Sequence, residues 1–161
     1  MAQARIQRFE KGKIYNLSEI FAANEVSKES YLTALIELVG KLEDNAKAYY
    51  AGMGWSNDRE TQRGVTFGDK WDKVFVLLDG EKKARIICHI DSNTGLIYKS
   101  NTPQGAPYPK PRADIYDEES FKYADPHGGW LYANFAADKP RYGDSSVKSV
   151  IEKGEAIMSG R

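Results

Sequence analysis

The sequence predicts an α+β fold, an N-terminal amphipathic helix packed on an antiparallel β-meander with an added C-terminal strand. Two observations predict it. Between residues 27 and 50, apolar residues recur at three- and four-residue intervals, the period of a helix with one buried face. Between 71 and 100, WDKVFVLLDGEKKARIICHIDSNTGLIYKS, three β-branched and aromatic runs are separated by two turn sequences.

The helix is expected to start at a Ser27 cap, to bury Tyr31, Leu35, Leu38, Val39, Leu42, Ala46 and Tyr49, and to end at Gly52 and Gly54. In the meander, residues 74–78 form the first strand. Asp79-Gly80 follows, the pair favoured where both central turn residues need positive φ. The second strand, 84–90, is expected to alternate Ile86, Cys88 and Ile90 against Arg85, Ile87 and His89. Asp91-Ser92-Asn93-Thr94-Gly95 then turns the chain into a third strand at 96–99.

Around this nucleus, residues 64–68 are expected to add a short strand in front, and 130–135, WLYANF, a last strand behind. Residues 1–26 form an arm and a docking segment: Arg5, Arg8, Lys11 and Lys13 make its start basic. Ile14, Tyr15, Leu17, Ile20 and Phe21 dock the rest, with Ser18 capping a short helical turn. Residues 27–135 make one domain. Residues 136–161 are a polar extension whose helix, from Ser145 to Met158, is expected to pack on a partner.

The composition bounds the function. Lys and Arg number 23, as do Asp and Glu, so the whole chain lacks the basic excess of a protein that holds nucleic acid by charge alone. A single cysteine, Cys88, excludes an intrachain disulfide and a thiolate zinc cage, and its place in an apolar strand marks a buried small hydrophobe. His89 and His127 have no second ligand at metal-binding spacing, so neither metal nor cofactor is expected. No phosphate-binding glycine loop, dinucleotide fingerprint or nucleophile elbow is present. Asp79, Glu81 and Lys83, which superficially suggest a nuclease, coincide with a turn, and Asp91 heads another. No run has membrane-spanning length and the N-terminus lacks a signal-peptide core, so no membrane partner and no secretion are expected.

One segment stands apart. Residues 100–112 hold four of the six prolines, so they form neither a helix nor a central strand. With Lys99, Lys110 and Arg112 for charge and Tyr98 and Tyr108 for aromatic surface, this loop is the expected binding site for a nucleic acid or an acidic partner.

Residues 88–99, CHIDSNTGLIYK, followed after a Pro-containing loop by RADIYD at 112–117, resemble a pattern in small uncharacterised phage and other viral proteins. There a hairpin of the form F-I-D-x-x-T-G-D-hydrophobic-Y/L-K leads through a Pro/Lys loop to R-G-N-I. Gly68 to Val74, GDKWDKV, is similar to the G-x-K-x-x-K-V entry of those proteins to their sheet, and the similarity spans about residues 30 to 135. This chain departs from the pattern at Ser100-Asn101-Thr102 and at Ala113-Asp114. The resemblance implies a viral origin and little about mechanism; because the sequence holds no convergent His, Cys or acidic constellation, the leading expectation is a non-catalytic viral accessory or virion-associated protein that meets other viral proteins or copies of itself in the virion or host cytoplasm. The alternative is a small phage enzyme or an inhibitor of a host enzyme.

Overall fold

A computed structural model describes residues 9–132 and 144–160. Among the described residues six strands, β1 (Ile14–Asn16), β2 (Gln62–Thr66), β3 (Trp71–Leu78), β4 (Lys82–Asp91), β5 (Leu96–Lys99) and β6 (Pro111–Asp114), form one sheet in sequence order. Every neighbouring pair is antiparallel. Among the same residues three α-helices accompany it: α1 (Leu17–Ser27), α2 (Ser30–Met53) and α3 (Asp144–Met158). The fold is the α+β meander that the two periodicities predict.

Both turns of the meander form as their residues dictate. Asp79 and Gly80 have φ of 54° and 77°, the left-handed pair of a tight hairpin. In the next turn the Asn93 amide donates to the Asp91 carboxylate at 2.9 Å and Gly95 sits at φ 80°. A register shift between Val74 and Phe75 places a bulge in the β3–β4 pair. Strict alternation in β4 therefore fails: Ile87, expected opposite Cys88, packs partly buried against the same core.

That core lies between α2 and the sheet. Leu35, Leu38, Val39 and Leu42 meet Val65, Val74, Cys88, Ile90 and Ile97, all buried. Each such aliphatic side chain contributes about 1.5–3 kcal/mol relative to exposure. The Cys88 thiol is fully buried, and burial pushes its pKa up to about 12.

The start of α2 differs from expectation. Ser27 ends α1, donating its hydroxyl to the Ala23 carbonyl, and Lys28 breaks the chain at φ 52°. Asn24 is the reason: its backbone oxygen accepts from the Lys28 amide and its side-chain oxygen from the Glu29 amide at 2.9 Å. It satisfies the donors that a Ser27 cap would have served. At the front of α1 the cap is Asn16, not Ser18, in a reciprocal box with Glu19. Below it the arm docks, with Phe9 stacked 4.1 Å from Phe67 and Lys11 paired to Asp69 at 2.6 Å. Arg5 and Arg8 lie outside the described residues.

The strand added after the meander is Pro111–Asp114, not residues 130–135. Gly129–Tyr132 forms a 3-10 turn, because Asp125 captures the Trp130 amide at 3.0 Å and holds this segment in a tight bend; 133–135 lie outside the described residues. Proline opens β6 at the sheet edge, where no neighbour asks for its missing N–H. The C-terminal helix packs on α2 of its own chain, with Ile151 buried. Gly52 of α2 faces the Val150 carbonyl and Gly154 of α3 faces the Ala48 carbonyl so closely that a methyl group at either would overlap the other backbone. The polar look of residues 144–158 hid this contact because glycines, rather than large apolar residues, make it.

Candidate functional site

The proline-rich loop runs across the sheet face that α2 leaves uncovered. Two side chains from adjacent strands pin it. His89 of β4 is fully buried, with Nε2 3.1 Å from the Gly105 carbonyl and Nδ1 2.7 Å from the Ser100 hydroxyl. A carbonyl can only accept, so Nε2 carries the proton and, in the neutral ring, Nδ1 accepts from Ser100. Burial holds the pKa of His89 below its ordinary value, with the Lys73 charge acting the same way and the Gly105 carbonyl opposing. Lys73 of β3 donates to the Pro103 carbonyl at 2.7 Å, and the Tyr108 amide returns to the Lys99 carbonyl at 2.9 Å.

These bonds divide the five expected site residues. Lys99 and Tyr108 come together, with the ammonium 4.8 Å from the ring centroid, and Tyr108 remains 42% exposed. Lys110 is exposed two residues on. Tyr98, cross-strand from His89, goes to the other side of the pleat and meets Trp71 edge-on at 5.3 Å. Arg112 is half-buried and donates to the Leu131 carbonyl at 2.9 Å, so it ties the 3-10 turn to the sheet edge.

Lys99 also borders a cavity of about 230 Å³. Its apolar wall comes from Ile86, Ile87, Pro126 and Leu131, its polar groups from Ser100 and Asn101, and its charge from Arg85 and Lys99, with His127 alongside. No carboxylate lines it among the described residues. Arg85 Nη1 is held 2.6 Å from Glu60, at the edge of the helix-covered face. That bond uses one of the guanidinium's five donors and lowers the pKa of Glu60. His127 is exposed and packs edge-on to Tyr49 at 5.5 Å and Tyr50 at 6.1 Å. The bend that carries it is made by Gly128, at φ 83°, and by Gly129, which lies directly against the Asp125 carboxylate.

Of the residues expected at this site, Lys99 and Tyr108 come together in the structure, which also brings in Arg85 and His127, neither of them among the expected five. In the sequence Arg85 stands opposite Ile86, Cys88 and Ile90 in the alternation of the second strand, and His127 stands out only for lacking a second metal ligand. The available signal was the Pro-His-Gly-Gly run, whose glycines mark a backbone built for close approach. The turn trio behaves as turn residues do: Asp79 accepts two 3.0 Å hydrogen bonds from Arg59, which lower its pKa. Among the described residues no group of three or more His, Cys, Asp or Glu is arranged to hold a metal, and no helix is long and apolar enough to cross a membrane. No family model matches the chain, and neither does any curated protein or solved structure.

Proposed function

We propose that the protein is a non-catalytic accessory or virion-associated protein of the viral type, and that its ligand is single-stranded nucleic acid. The observation that carries the ligand is the Lys99–Tyr108 pair, an ammonium 4.8 Å from the centroid of an exposed ring, with Lys110 exposed two residues on. Single strands are held by this combination, cations for the phosphates and an exposed ring on which a base stacks. It favours nucleic acid over an acidic protein because carboxylate side chains have no use for the aromatic surface. The viral class rests on the resemblance of residues 88–117 to the phage hairpin and loop.

Titration with single-stranded and duplex oligonucleotides at several salt concentrations tests the ligand. Single strands bind more tightly than duplex, and log K falls with log salt at a slope of about −0.7 per phosphate neutralised. Lys99→Ala combined with Lys110→Ala makes that slope shallower. Absence of binding at low salt, or a slope untouched by the double variant, refutes the proposal. For the class, the protein copurifies with particles at fixed stoichiometry, and its absence from them removes the virion-associated form.

A further inference from the structure

We infer that the open edge of β4 between Lys82 and Ile87 is a docking site for an extended segment of another protein, which adds to the sheet as a strand in line with β5 and seats an apolar side chain against Ile86, Ile87, Pro126 and Leu131. The site goes beyond the nucleic-acid reading, and it needs neither the charge of Lys99 nor the ring of Tyr108.

The opening comes from the unequal lengths of neighbouring strands. β4 has ten residues and β5 only four. Their pairing covers Cys88, His89 and Ile90 against Lys99, Tyr98 and Ile97, after which the chain leaves the sheet. From Lys82 to Ile87, β4 therefore has β3 on one side and no strand on the other. Among the described residues, no hydrogen bond joins the main chain of this stretch to any group beyond β3. Such an edge is a row of N–H and C=O groups, and what matches the row is another polypeptide main chain.

The cavity of about 230 Å³ lies where β5 would continue, with Arg85, Ile86 and Ile87 along one side and Pro126 and Leu131 among its other walls. Ile86 and Ile87 are adjacent in sequence, and successive side chains of a strand point to opposite faces. That both line one cavity places it at the edge of the sheet rather than over a face. A strand advances about 3.3 Å per residue, so a space of this size holds a step of about two residues with one side chain. Its apolar walls select an aliphatic one.

A second copy of this chain does not suit the edge. Pairing two β4 edges would bring Lys82, Lys83 and Arg85 of both copies to within a strand spacing of about 4.8 Å, and like charges so placed repel. The register shifts between Val74 and Phe75 and between Phe75 and Leu77 also break the regular ladder that a long, flat pairing requires. A short segment without basic residues meets neither obstacle. Arg85 is already paired with Glu60 at 2.6 Å, so its charge is spent. Lys82 and Lys83 are exposed and neither forms an ion pair among the described residues. With Glu81 beside them this hairpin tip keeps a net positive charge, which favours an acidic residue at the near end of the segment.

Short capped peptides, selected from a displayed random library on the full-length protein, are the probes. The selected peptides carry an aliphatic residue and, toward one end, Asp or Glu. On binding they slow amide exchange within residues 82–87. N-methylation at every second peptide residue removes main-chain donors while keeping the side chains. In one of the two phases it lowers affinity at least tenfold, and in the other it leaves affinity within about twofold, because alternate amides of an added strand face away from the edge. Lys82→Glu combined with Lys83→Glu weakens the acidic peptides about tenfold and leaves the urea midpoint unchanged. Failure to select any peptide, equal loss in both phases, protection confined to other residues, or indifference to the double variant overturns the inference. So does a concentration-dependent dimer that protects residues 82–87 without peptide, since the occupant is then a second copy.

Discussion

The two faces of the central sheet are covered in opposite ways. Over one, α2 lays a stripe of leucines and valine on Val74, Cys88, Ile90 and Ile97, and the contact is dry. Over the other, around Trp71, Lys73, His89 and Tyr98, the cover is an irregular loop fixed by hydrogen bonds at Ser100, Pro103 and Gly105. An apolar interface of this kind supplies most of the stability, because its free energy scales with area. A few polar anchors supply little net energy but determine where a loop lies, since each bond fixes one backbone position and leaving it unmade is costly. The helix face holds the fold together, and the anchored loop carries Tyr108 back to Lys99 at the end of β5.

Breaking the dry side has the largest effect. Leu38→Ala removes a fully buried side chain at the centre of α2 and lowers unfolding free energy by about 2–5 kcal/mol, measured by urea titration. Gly154→Val, which forces bulk into the α2–α3 crossing, costs about 1–3 kcal/mol and strips hydrogen-exchange protection from α3 before it affects the sheet. If α3 stays protected, the glycine contact is not what holds it.

On the loop side, His89→Ala leaves the Gly105 carbonyl without its donor and costs about 1–3 kcal/mol, with exchange quickening at residues 100–108. Acid acts in the same direction. The folded pKa of His89 lies below the ordinary 6.5, so the unfolded chain takes up the proton first. The stability His89 contributes is therefore full above about pH 6.5 and declines as pH falls through the folded value. Trp71, whose ring lies 5.7 Å from the imidazole, reports the change by fluorescence, and His89→Gln abolishes that titration. The smallest effect is at the sheet edge, where Arg112→Ala frees the Leu131 carbonyl for about 1 kcal/mol, seen as faster exchange around residue 131.

The same contrast explains how much of the molecule its sequence reveals. Periodicity marks elements that bury one face, so α2 and the meander were legible from Leu35, Leu38, Val39 and Leu42 and from the Asp79-Gly80 and Asp91-to-Gly95 turns. The break at Lys28 was not, because Asn24 acts through its side chain on Glu29 five residues away, a bond that no hydrophobic pattern records. Residues 130–132 alternate like a strand yet bend, since Asp125 decides their backbone. In the candidate site, Lys99 and Tyr108 were visible because they border the same loop. Arg85 and His127 join them only through the tertiary approach of β4 to residues 126–131, and nothing local to either residue announces that meeting.

The glycine crossing of α2 and α3 also has a temporal side. Gly52 and Gly154 are brought together only after the chain between them has closed a loop containing most of the sheet, and the entropy of that closure opposes docking until the sheet is formed. On a ribosome, where the chain emerges from its N-terminus, the groove around Ala48 and Gly52 stays open until residues 144–158 have left the exit tunnel. α3 is then the closing piece. A nascent chain paused before that point carries a folded meander with one helix flank bare, at the stage when stray contacts with neighbouring chains are easiest to make.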